Sequence, residues 1–166
     1  MAYPLSPPAL DQLFTAALKY RERAYAPYSH FRVGAALLTT DGTIFGGCNV
    51  ENASYGGAIC AERTAMTKAV SEGSKSFLAV AVVSDIPTPD CSPCGICRQF
   101  LREFLDPHTP IYLLGGAYPL GDIPNFLSHL ESEEAKKYVV TMTMDEVLPN
   151  SFGPDHLGLR AASKKG

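Results

Sequence analysis

Two short runs of this chain, Cys60-Ala61-Glu62-Arg63 and Pro93-Cys94-Gly95-Ile96-Cys97, hold three of its five cysteines and a carboxylate. A fold that uses them together must bring two distant segments to one point, and no other feature constrains the architecture as strongly. A structural zinc site closes with four protein ligands, whereas a catalytic one keeps three and leaves a position for water. Cys60, Cys94 and Cys97 provide three donors, and Glu62 stands two residues after the first of them. A carboxylate so placed serves the water rather than the metal. The expected cofactor is therefore Zn2+, one per subunit.

Thiols stay available as ligands in a reducing compartment, and five cysteines is an odd number, which argues against a disulfide framework. No apolar run approaches the roughly 20 residues that cross a bilayer. The segment from Met1 to Pro8 has no basic stretch leading into an apolar one. The expectation is a cytoplasmic protein with no membrane partner. Its 166 residues, 46% apolar and 19% charged, fit one domain with a substantial core. A net charge of −3 offers no basic surface to nucleic acid. A small, neutral or weakly charged substrate is the easier match.

Hydrophobic spacing sets the elements. Ser6 and Pro7 read as an N-cap and a first helical residue, and Leu10, Leu13, Phe14, Ala17 and Leu18 recur at helical spacing to about Ala24. Phe31 to Thr39 and Thr43 to Cys48 read as strands around an Asp41-Gly42 hairpin turn. A helix is predicted from near Cys60 to a stop at Gly73, and Phe77 to Ser84 reads as a strand buried on both faces. A helix from Cys94 to before Pro107, strands at Pro110 to Leu114 and Tyr138 to Met144, and a short helix at Asp145 to Leu148 complete the set. This order predicts an α/β fold with a mixed five-stranded sheet covered by helices. Residues 1–160 form the single domain and 161–166 a polar tail.

Both cysteine runs then open helices, where backbone amides and the macrodipole favour thiolates. Cys94 and Cys97, three apart, share one helix face. Three thiolates make the centre negative, so a compensating cation is expected. The candidates are Arg63, three residues after Cys60, and Arg98, beside Cys97. Surface ion pairs are the plain alternative for both arginines. Taken alone, the Cys94–Cys97 pair also suits half a zinc ribbon or a redox motif, and Cys48 or Cys91 would close the site if either joined it. Those two are expected to be reduced, half-buried thiols. The four histidines show no ligand spacing and read as surface residues.

With these residues the chain resembles the zinc-dependent nucleoside and nucleobase deaminases, whose Cys-Ala-Glu and Pro-Cys-x-x-Cys pattern it carries. More narrowly, it is similar to the tetrameric cytidine deaminases that act on free nucleosides. Tyr25-Ala-Pro-Tyr-Ser-His-Phe31, Val33-Gly34-Ala35-Ala36, Asn49-Val-Glu-Asn52, Cys60-Ala-Glu-Arg63, Ser92-Pro-Cys-Gly-x-Cys-Arg-Gln99 and Leu148-Pro-x-Ser-Phe-Gly-Pro154 occur in family order. The resemblance implies a three-layer α-β-α fold. It implies zinc-dependent hydrolytic deamination of cytidine and 2′-deoxycytidine to uridine and 2′-deoxyuridine plus ammonia, in pyrimidine salvage.

The same resemblance implies that Cys60, Cys94 and Cys97 bind zinc. Glu62 is implied to carry a proton from the attacking water to ring N3 and later to the departing amine. Asn49 and Glu51 are implied to hold the ribose, Phe31 to pack on the pyrimidine, and the Ala61 amide to hold the base carbonyl oxygen. Phe152 is implied to come from a neighbouring subunit, so the expected assembly is a homotetramer with shared active sites. From the residues alone, Asn-Val-Glu at a strand end projects both polar side chains to one face, but a polar loop reads equally well. Phe31 reads equally well as a core residue.

One departure stands out. The family joins its last two strands by a short turn, whereas Gly115 to Lys137 is long. Ile123 to Lys137 predicts an amphipathic helix with Phe126, Leu127 and Leu130 inward. A helix there permits a parallel crossover, but Val139-Val-Thr-Met142 and the Phe-Gly-Pro loop match the nucleoside class. The last strands are therefore expected to be antiparallel, with 115–137 an insertion between them. Two other readings stand beside the leading one. A deaminase of a modified cytosine nucleoside is opposed by the intact Asn49 and Glu51. A non-catalytic, zinc-stabilised nucleoside-binding module is opposed by Glu62, for which a scaffold has no need.

Overall fold

A computed structural model of the chain describes residues 5–118 and 124–159. Met1 to Pro4 of the N-terminal reading, Ile123 of the insertion and the tail 161–166 lie outside the described residues. Helix α1 (Pro7–Arg21) follows Ser6 as expected but ends before Ala24. The Arg23 and Ala24 amides donate to carbonyls three residues back, on Tyr20 and Arg21, so the last turn tightens out of the α form. Strands β1 (Val33–Thr39) and β2 (Ile44–Cys48) make the hairpin, with Gly42 at φ +87° in its turn. Helix α2 (Ala61–Ser71) stops where Gly73 turns left-handed at φ +95°. Strand β3 (Phe77–Ser84) has its predicted bounds, and α3 (Gly95–Phe104) and β4 (Pro110–Leu114) follow.

The segment expected to form one helix forms two short ones, α4 (Pro124–Leu127) and α5 (Glu133–Lys136). Ser132 causes the second start: its hydroxyl accepts the Ala135 amide at 3.2 Å, capping a new helix with Glu133 and Glu134 in its first turn. The inward side chains are as expected, with Leu127 buried and Phe126 and Leu130 packed beside it. Strand β5 (Val139–Thr143) and helix α6 (Met144–Val147) close the set, the latter started by a Thr143–Glu146 capping box.

The sheet order is β2-β1-β3-β4-β5. Within this sheet, among the described residues, β3 and β4 are the one parallel pair of strands, joined by the α3 crossover, while β4 and β5 pair antiparallel from Pro110–Thr143 to Leu114–Val139. Alternating side chains divide the core into two layers. Ala35, Leu37, Val80, Val82, Ile111 and Leu113 pack with α2, α3 and α6 on one face. Ala36, Leu38, Ala81, Val83, Tyr112 and Leu114 pack with α1 and the insertion on the other. β3 is thus buried on both faces, and the fold is the three-layer arrangement expected. Each buried Leu, Phe or Val contributes roughly 1.5–3 kcal/mol of apolar transfer.

Gly47 on β2 sets where the first cysteine run sits. A Cβ at this position would overlap the Ala65 amide nitrogen and the Ala61 carbonyl of α2. The bare glycine lets the first turn of that helix rest directly on the sheet.

Candidate metal centre and active site

Cys60 is the N-cap of α2 and Cys94 the N-cap of α3, both in extended backbone, and Cys97 lies in the first turn of α3. The packing of α2 and α3 on one face of the sheet brings the two runs together. The sulfurs of Cys60, Cys94 and Cys97 lie within 4.8 Å of one another, and Cys60 and Cys94 are 3.9 Å apart. Sulfurs at the corners of a tetrahedron around zinc, with bonds of about 2.3 Å, stand about 3.8 Å apart. The donor set therefore fits a zinc ion. Cys97 is buried, Cys60 half-buried and Cys94 exposed, so the cluster is open on the Cys94 side. Cys48 lies elsewhere, donating to the Arg23 carbonyl at 3.3 Å, and Cys91 is a free, half-buried thiol outside the cluster.

The electrostatics follow from three sulfurs crowding one cation. The Cys97 thiol, donating to Cys60, and next the Arg63 guanidinium hold the Cys60 thiol down to about 5. The same donation pushes the Cys97 thiol up. Arg63 Nη2 lies 3.7 Å from the Cys60 sulfur, the compensating position expected of it. Arg98 takes a different place. Its guanidinium donates to the Pro93 carbonyl at 2.6 Å, the Val147 carbonyl at 2.9 Å and the Ser92 hydroxyl at 2.6 Å. It pins the turn before Cys94 to the end of α6 rather than serving the sulfurs.

Glu62 is only 4% exposed in the first turn of α2. Burial pushes its carboxyl above the usual range, and the negative Cys60 adds to that push. A carboxyl poised in this way suits proton transfer. Ala61 is the first residue of the same helix, where an amide has no intrahelical acceptor and faces outward as a donor.

Asn49 and Glu51 both reach the segment that leads into β1. Asn49 accepts the Val33 amide at 2.8 Å and donates to the Phe31 carbonyl at 2.8 Å, leaving one amide hydrogen. Glu51 takes hydrogen bonds from the Ser29 hydroxyl and from the amides of Tyr28 and Ser29. These donors, the hydroxyl foremost, hold its carboxyl below the usual range. Phe31 is 36% exposed and outside the strand, so it is not a core residue. A cavity of about 270 Å³ is lined by Tyr28, Ser29, Glu51, Asn52, Tyr55 and Ala58. Tyr28 and Ser29 stood in the sequence motif from Tyr25 to Phe31 without an assigned role, although a serine in a turn signals a hydroxyl that bonds nearby backbone.

Phe152 is 60% exposed and stacks on His156, ring centroids 5.3 Å apart at 26°. His156 Nδ1 also accepts the Gly153 amide at 3.1 Å, so this histidine is more than the surface residue expected. Buried Arg102 of α3 braces the loop, donating to Ser151 Oγ at 2.8 Å and to Asp155 Oδ1 at 2.7 Å. Gly153 lies so close to that guanidinium that a Cβ would overlap it. Gln99, also on α3, donates to the Phe152 carbonyl at 3.1 Å.

The profile of the family described as "Cytidine and deoxycytidylate deaminase zinc-binding region" matches residues 8–113. A cytidine deaminase of Sporosarcina psychrophila is 55% identical over 104 residues, 63% of this chain and 76% of that protein. One from Mycobacterium tuberculosis is 39% identical over 134 residues, covering 81% and 82%. Among solved structures, the cytidine deaminase of Burkholderia pseudomallei superposes with a TM-score of 0.70 at 40% identity, covering 86% of this chain and 98% of that one. With three clustered thiols and a buried carboxyl at the helix start, the chain belongs to the cytidine and deoxycytidylate deaminase family.

Proposed function

We propose that this chain is a zinc-dependent hydrolase that deaminates cytidine and 2′-deoxycytidine to uridine and 2′-deoxyuridine with release of ammonia, in pyrimidine salvage. The observation that carries the reading is the open set of three thiol donors with buried Glu62 in the first turn of the helix that Cys60 caps. Cys60, Cys94 and Cys97 hold the metal, which when bound supplies the Lewis acidity that makes water nucleophilic near neutral pH. Glu62 takes the proton from the attacking water and delivers it to N3 of the cytosine ring. Protonation at N3 draws electrons from C4, where the water oxygen adds. Glu62 then takes the proton left on the C4 hydroxyl and passes it to the amino group; the C4–N bond breaks as the C4 carbonyl forms, and ammonia leaves. One side chain thus acts as base and acid in turn, as its raised proton affinity favours.

Around that centre the Ala61 amide holds the base carbonyl oxygen, Phe31 packs on the pyrimidine, and Asn49 and Glu51 read the sugar. Glu51 retains its charge and so accepts from hydroxyls. Phe152 serves the site of a neighbouring subunit in a homotetramer. Its exposure on a braced loop supports this, as does the apolar groove of Ile96, Phe100 and Phe104 along α3. Residues 1–160 act as one domain with 115–137 inserted. The free cysteines favour the cytoplasm, and among the described residues no helix is long and apolar enough to cross a membrane.

The test is incubation of zinc-loaded protein with cytidine, with chromatography for uridine. Conversion is expected. No conversion by folded protein carrying one zinc per chain overturns the reading in favour of a modified nucleoside or a binding role.

A further inference from the structure

The Ser29 hydroxyl donates to Glu51 Oε1 and accepts the Phe31 amide, whose nitrogen lies 3.0 Å away. The Tyr28 and Ser29 amides donate to the other oxygen of Glu51 at 2.9 and 3.2 Å. Between Ser29 and Phe31, His30 sits at φ +57°, a left-handed conformation that is unfavourable for a non-glycine residue. Such a conformation persists only where the surroundings enforce it. Here the Glu51 carboxylate on one side and the Asn49 amide on the other do so.

An ionised carboxylate offers about four lone-pair directions. Three on Glu51 are filled by this loop, two on Oε2 and one on Oε1, so a single direction is left, on Oε1. Ser29 occupies the other Oε1 direction and thereby fixes where the free one points. Both residues line the cavity of about 270 Å³ beside Tyr55 and Ala58.

We infer that Ser29 is a positioning residue whose hydroxyl couples sugar recognition at Glu51 to the setting of Phe31. The inference rests on the reading of Glu51 as a sugar ligand. Loss of the hydroxyl leaves the amide bonds to Glu51 in place, and water replaces it at the exposed Phe31 amide, so the fold persists. What changes is the aim of the free lone pair and of the Phe31 backbone. Substrate binding therefore weakens more than turnover.

The experiment compares Ser29→Ala, Ser29→Thr and Glu51→Ala, each zinc-loaded, on cytidine and on 2′,3′-dideoxycytidine, which offers Glu51 no 2′ or 3′ hydroxyl. KM is read for each, or an inhibition constant where turnover of the dideoxynucleoside is too slow. For Ser29→Ala, KM for cytidine rises about tenfold, the worth of one hydrogen bond to a charged group. Its kcat stays within about threefold, and its KM for the dideoxynucleoside moves far less. Ser29→Thr, which keeps the hydroxyl, restores the cytidine KM. Equal losses on the two substrates, or an unchanged cytidine KM, overturn the coupling. Glu51→Ala tests the foundation separately. If it loses no more on cytidine than on the dideoxynucleoside, Glu51 does not read the sugar. If it discriminates and Ser29→Ala does not, the inference about Ser29 alone falls.

Discussion

At the Glu62 carboxyl, burial and the Cys60 charge act in the same direction, raising the proton affinity of the group proposed to take and return a proton. Glu62→Gln keeps the shape and removes the shuttle. Turnover of cytidine is expected to fall about 10²–10⁴-fold, the range for a general acid–base group, while zinc measured by atomic absorption stays at one per chain. Turnover within tenfold of the parent would exclude Glu62 from the chemistry. Arg63 acts one step away, through the Cys60 sulfur. Arg63→Gln leaves the three-sulfur centre more negative and a weaker activator of water. Activity is expected to drop about 10–100-fold, as for other residues that support a metal ligand, with the metal retained. The same assay and metal analysis check it.

Elements decide whether these residues meet. The first turn of α2 rests on β2 through Gly47, and backbone atoms there cannot move aside for a methyl group. Gly47→Ala is expected to cost about 1–3 kcal/mol in urea denaturation and to weaken zinc binding in a chelator competition, because the turn that moves carries Cys60 and Glu62. Unchanged zinc affinity would mean that α2 is positioned by other contacts. The helix starts at both cysteine runs were readable from local spacing, because Cys60 and Cys94 precede good helical segments. The break between α4 and α5 was harder to see. The amphipathic pattern over 123–137 runs on through Ser132, and only its cap bond to Ala135 shows which of two compatible structures the backbone adopts.

For the whole molecule, the metal and the proposed assembly are the levers. Stripping zinc with a chelator is expected to abolish turnover and lower Tm, and added zinc to restore both, since a ligand bound only by the folded state stabilises it. Mixing Glu62→Gln subunits with Phe152→Ala subunits, each inactive, is expected to recover part of the activity once exchange has occurred. No recovery after exchange proven by mass spectrometry would count against shared sites.

The sequence by itself determined the five strands, the buried alternation of β3 and the three thiol donors with Glu62. Periodicity and helix-start chemistry are local, and the cysteine runs carry their own ligand spacing. Only the tertiary structure decided which groups serve which. Arg98 went to backbone carbonyls, Ser29 to Glu51, and Arg102 to the loop of Phe152. Those pairings join residues far apart in the chain, or settle among several donors within reach. The distances that choose between them arise only when helices and loops have packed against the sheet.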